Sequence, residues 1–215
     1  MAEITAAAVK ELRELTGVPM MDCKKALVET NGDMEAAKDF LRKRGQAKAI
    51  KKSSRETNDG AIAAYVSDDL RTASLVKLSC ETDFVAKNER FQNLLQTICS
   101  QVATQGDVEV PGQTLVDGSG TIQDLLTQSV AELGENIQFA EAKRFELDEG
   151  VIGSYIHMTG KIGVLVPIAT SVAADKDQLT SLARDIAMHI VETNGDMEAA
   201  KDFLRKRGQA KAIKK

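Results

Sequence analysis

The chain has 215 residues, 43% of them hydrophobic, enough for one or two buried cores. Its formal net charge of -4 supplies no global basic field for nucleic acid or an anionic membrane, and no apolar run approaches the roughly 18 residues that span a bilayer. Aromatic residues are only 4% and Trp is absent, which points to aliphatic, Ala-rich helical packing.

The N-terminal stretch "MAEITAAAVKELREL" has neither a signal-peptide core nor an Arg-rich transit pattern. Residues 4–45 read as three short helices. The first is capped by Thr5, turns Val9, Leu12 and Leu15 inward and stops at Gly17. The second runs from about Met21 to Glu29, with Cys23, Ala26 and Leu27 inward. The third takes Asp33 as its cap, sets Ala36, Phe40 and Leu41 on one stripe and ends at Gly45. The stretch "RKRGQAKAIKKSSRETNDG" (42–60) is basic and polar. It reads as a solvated linker; a nucleic-acid patch is the weaker reading given the acidic total.

Next, "GAIAAYV" (60–66) and "TASLVKLSC" (72–80) form a hairpin through "SDDLR". A helix is expected from about Phe84 to Val102, irregular chain over 104–120, and a helix over 122–133 closed by Gly134. "NIQFAEAKRFEL" (136–147) alternates weakly, as a strand does. The hairpin-plus-helix pattern then recurs loosely. "GVIGSYIHMTGKIGVLVPIAT" (150–170) aligns with 60–80 at an offset of 90, and the helix through Leu182, Ile186 and Ile190 aligns with Leu94, Ile98 and Val102 at an offset of 88. These elements make an α+β chain. A second repeat is of another kind. "VETNGDMEAAKDFLRKRGQAKAIKK" at 28–52 recurs letter for letter at 191–215. This copy is expected to end the long helix near Thr193 and to form a separate helix near 196–206.

The chemistry is sparse. Cys23, Cys80 and Cys99 stand at unrelated spacings and read as free thiols of a reducing compartment. His157 and His189 are the only histidines, so no metal site, cofactor site or catalytic set is expected. Three features remain. "CETDFVAK" (80–87) offers Thr82 or Asp83 as a helix cap and sets Phe84 on the first turn. Either Phe84 packs back into the core or it reaches out. The matching segment of the second copy, "TSVAADKDQ", has no large apolar residue, which favours an outward role. Met20-Met21 sits between the first two helices, as adaptable core or as a partner surface. His157 lies at the tip of the second hairpin. An interaction protein is the better reading than an enzyme.

The segments "TGVPMMDCKKAL", "ETDFVAKNERF", "GENIQFAEAKRFEL" and "GSYIHMTGKIGVLV" resemble the signature segments of the elongation factor Ts family, guanine-nucleotide exchange factors of translation. The resemblance runs to about Ile190. It implies a three-helix domain like a ubiquitin-associated (UBA) domain, with its basic linker, over 1–54. It implies a core of two related subdomains, over 55–147 and, in part, 148–190; the copy 191–215, beyond the resemblance, is expected as a helical tail. It implies a partner, the GTPase elongation factor Tu, and a cytoplasmic, bacterial-type setting, or an organelle after removal of a transit peptide. On that pattern Thr82, Asp83, Phe84 and Val85 would disturb the Mg²⁺ and phosphate end of Tu's nucleotide site. Met20 and Met21 would touch the GTPase domain, and His157 a more distant Tu domain. The family continues past the "IAMHI" helix where this chain carries the copy. The second subdomain is therefore expected to be incomplete, with weaker binding to Tu or a homodimer as the result. The rival reading is a UBA-like module that binds a polypeptide or RNA through its basic segment.

Overall fold

The computed structural model describes residues 4–158, 160–170 and 175–195. The fold is α+β. Three helices come first: α1 (Ala6–Thr16), α2 (Met20–Glu29) and α3 (Met34–Lys52). The Thr5 hydroxyl accepts from the Ala8 N–H at 3.2 Å, and the Asp33 carboxylate accepts from the Ala36 N–H at 3.0 Å, so both helices start at the side-chain caps that the sequence supplies. Val9, Leu12, Val18, Cys23, Ala26, Leu27, Ala37 and Leu41 form their shared core.

Three expectations fail here. Leu15 is exposed, because Thr16, not Leu15, continues the inward stripe of α1; its hydroxyl donates to the Leu12 carbonyl at 2.6 Å. On α3 the buried small residue is Ala37, while Ala36 is exposed. More importantly, α3 does not stop at Gly45, and the segment read as a linker is helical to Lys52. Gly45 is where α3 crosses the later helix that carries Ala131. A Cβ on Gly45 would come within 3.1 Å of the Ala131 Cβ, so the missing side chain serves close packing and not a helix stop. Beyond the crossing, Ala49 packs against the second core, and Lys52 donates to the Gly134 carbonyl.

That second core lies under an antiparallel sheet in the order β1 (Asp59–Val66), β2 (Thr72–Cys80), β3 (Ile137–Glu146). Against it pack α5 (Glu89–Gln105) and α6 (Ile122–Leu133). Phe91, Leu95, Ile98 and Val102 of α5 are wholly buried. The helix expected from Phe84 to Val102 is in fact two. A single turn, α4 (Asp83–Ala86), ends at Lys87, and Asn88 opens α5 by accepting from the Arg90 N–H at 2.9 Å. An Asn side chain competes for backbone donors and so favours the start of a new helix. The irregular stretch before α6 holds one 3-10 turn, Val110–Gly112, and is stitched to α5 by Gln101, which donates to the Thr114 carbonyl at 2.7 Å.

The second hairpin, β4 (Gly150–His157) with β5 (Ile162–Ala169), is a two-stranded sheet packed under α7 (Lys176–Glu192). The loose repeat is visible in the backbone. Gly60 and Gly150 both have positive φ, +144 and +127, and in each a side chain would collide with the facing carbonyl, of Leu78 or of Ile168. These pairs are related by the offset of 90. Two expectations, the "TSVAADKDQ" counterpart over 171–174 and the separate helix near 196–206, fall outside the described residues.

Candidate functional site

The chain turns sharply where β2 ends. Thr82 is extended (φ -132, ψ 156) and caps α4, its hydroxyl accepting from the Val85 N–H at 3.4 Å. Asp83 is therefore not the cap; it sits one residue later and pairs with Lys87 at 2.7 Å, which raises the Lys87 pKa. One turn of helix then has two faces. Val85 is half-buried and Ala86 buried against the sheet core, while Phe84 points away and keeps 82% of its surface in solvent. It is the most exposed of the large apolar side chains among the described residues. An exposed Phe forgoes roughly 1.5–3 kcal/mol of burial, which makes it more informative than an exposed Lys.

Long-range bonds hold this turn. The Glu135 carboxylate accepts from both Thr82 donors, the hydroxyl at 2.6 Å and the N–H at 3.0 Å. The neighbouring Glu81 accepts from the Asn136 N–H at 2.7 Å and pairs with Arg55 at 3.4 Å. The Asn136 bond chiefly, with Arg55 adding to it, holds the Glu81 carboxyl below its ordinary pKa. Beneath, the Cys80 thiol donates to the Thr82 carbonyl at 3.2 Å; burial, with the nearby Glu135 charge, pushes its pKa up to about 11. Cys23 and Cys99 are also buried, without disulfides, and burial raises both thiols.

Met20 and Met21 open α2 and are exposed, Met21 the more so. The structure links their neighbourhood to the Phe84 turn. Arg90, in the first turn of α5, donates to the Gly17 carbonyl at 2.8 Å and pairs with Glu132 at 3.4 Å. Pro19, Met20, Asn88, Arg90 and Glu132 line one open groove. His157 is not part of this region. It ends β4 opposite Ile162, half-buried, with its Nδ1 3.1 Å from the Tyr155 hydroxyl. Glu81, Glu135 and Arg90 were not singled out from the sequence. Their partners lie tens of residues away, and only the motif "GENIQF" around Glu135 hints at them. Among the described residues no cluster of three or more His, Cys, Asp or Glu could hold a metal, and no helix is long and apolar enough to cross a membrane.

Comparison with known proteins gives a consistent result. The family model described as Elongation factor TS matches residues 81–206. An elongation factor Ts from Clostridium perfringens is 45% identical over 193 residues, covering 89% of this chain and 63% of the relative. One from Rhizobium etli is 46% identical over 200 residues, covering 90% and 64%. The chain thus spans just under two thirds of the length of the curated relatives it matches. With the "ETDFVAKNERF" turn and the β3 strand both inside the matched region, this chain belongs to the elongation factor Ts family.

Proposed function

We propose that the chain binds GDP-bound elongation factor Tu and promotes GDP release, leaving the site free for GTP. The observation that supports this most is the Phe84 ring, exposed on a capped turn whose base is bonded to Glu135, at the corner between α6 and β3. A GTPase holds Mg²⁺ and phosphates through a few precisely placed groups. A rigidly mounted ring that displaces those groups by an ångström weakens nucleotide binding without covalent chemistry. Thr82, Asp83, Phe84 and Val85 supply that element, Met20 and Met21 a contact with the GTPase domain, and His157 a contact with a more distant Tu domain. By linkage, nucleotide weakens the factor as much as the factor weakens nucleotide.

In this reading residues 1–54 form the UBA-like unit, 55–147 and 148–190 the two related core units, and the setting is the cytoplasm. The basic segment gives the RNA-binding alternative little support: Arg44 and Lys48 are paired with Asp22 at 3.4 and 2.7 Å. The test is release of a fluorescent GDP analogue from Tu. The chain should speed release, and Phe84→Ala should lose about tenfold or more of that acceleration. A variant as fast as the parent chain would overturn the role given to the ring.

A further inference from the structure

We propose that Glu135 is a positioning residue for the Phe84 turn, holding Thr82 so that α4 projects the ring in one direction; this rests on the exchange reading above. The argument begins with register. β2 and β3 pair as far as Cys80 opposite Ile137. Carried on, the same register would set Glu81 opposite Asn136 and Thr82 opposite Glu135. The backbone ladder stops before them. In its place the Glu81 carboxylate takes the Asn136 N–H at 2.7 Å, and the Glu135 carboxylate takes the Thr82 N–H at 3.0 Å. Two side chains stand in for two main-chain carbonyls. The strands can therefore part, and α4 can turn out, while the amide donors stay satisfied.

Glu135 does more than Glu81. Its second oxygen takes the Thr82 hydroxyl proton at 2.6 Å. That fixes the hydroxyl rotor and leaves an oxygen lone pair for the Val85 N–H, the bond that caps α4. A helix of four residues cannot sustain itself, so its direction is set from its ends. The far end is held by Gln92, which donates to the Ala86 carbonyl at 2.6 Å. The near end is held by Glu135. Glu135 is itself delivered from a fixed corner, between Gly134, the left-handed residue that closes α6, and the start of β3. The bonds of Glu135 go to Thr82, and it acts on Phe84 through that residue.

The test pairs a local structural readout with exchange. In Glu135→Ala, amide hydrogen exchange of a peptide covering 81–86 should quicken by about tenfold, while the β1 and β2 peptides stay within about twofold. In the Tu assay the maximal rate of GDP-analogue release should fall by about tenfold, with the half-saturating concentration moving less than about threefold. Glu135→Gln keeps one acceptor oxygen and should recover part of both effects; it also serves if the Ala variant fails to fold. A merely stabilising role would move neither the maximal rate nor the Gln rescue. If the parent chain itself does not speed release, the exchange reading and this proposal fall together. If the parent does, Phe84→Ala does not, and Glu135→Ala releases within about twofold of the parent, the proposal alone is overturned. Unchanged amide exchange over 81–86 overturns it as well.

Discussion

Phe84 and Phe91 lie seven positions apart and meet opposite surroundings: one is 82% exposed, the other 0%. Removing Phe91 would leave a cavity in the sheet core, and Phe91→Ala should cost about 3–5 kcal/mol in urea unfolding. Phe84→Ala should change stability by less than about 0.5 kcal/mol, because most of the ring already stands in solvent. Stability and exchange activity should therefore separate cleanly at these two rings. The outward direction of Phe84 was favoured in the sequence by the lack of a large apolar counterpart in "TSVAADKDQ"; the capped turn alone left both directions open. The grip of Glu135 was not, since a carboxylate reaching a residue 53 positions away leaves no local pattern. Asp22 makes a similar point. Hydrogen bonding from Lys48, above all, and the nearby Arg44 charge hold its pKa below the ordinary 3.8. A carboxyl with a depressed folded pKa adds stability above its ordinary value and loses it as pH falls through the folded one. Asp22→Asn should thus cost about 1 kcal/mol at pH 7. That difference should shrink as the pH is taken below 3.8, in parallel thermal melts of the two proteins.

Three glycines show what decides the fate of an element. Gly17 and Gly134 close α1 and α6 in left-handed conformations, as the sequence suggests. Gly45 carries the same letter and sits inside α3. Its role is set by Ala131, 86 positions on, and no periodicity within residues 34–52 contains that information. A mid-helix Gly costs about 1 kcal/mol against Ala, which the close helix crossing offsets. Gly45→Leu should push α3 from α6 and destabilise the protein by about 1–3 kcal/mol. An unchanged denaturation midpoint would show that the crossing is loose. The division of α4 from α5 was hidden for a different reason. The apolar positions of α5 begin at Phe91, and a four-residue turn before them has too few residues to show a period of its own.

At the level of the molecule, three apolar clusters were foreshadowed by the order of elements: three helices, a hairpin with helices, and a second hairpin with a helix. The relation between the two hairpins was readable too, since the paired Gly60 and Gly150 mark the same backbone position in each. What composition misjudged is the join. A run dense in Lys and Arg looks like solvated coil. Here its charges are met by Asp22 and by the Gly134 carbonyl, and its apolar stripe by Ala49 on the second core. The helix that leaves the first cluster thus arrives at the second without a break.

This continuity bears on proteolysis. Arg42, Lys43, Arg44, Lys48, Lys51 and Lys52 would make a coil linker the first place for trypsin to cut. A protease must draw its substrate out as an extended strand, and to do so here it must peel α3 from Asp22, Ala131 and the sheet core together. Limited digestion of the native chain should leave 42–48 intact after exposed loops are nicked, and cleavage there should keep pace with global unfolding. Early release of a fragment ending at Arg42, Lys43 or Arg44 would show that the two clusters are tethered and not braced.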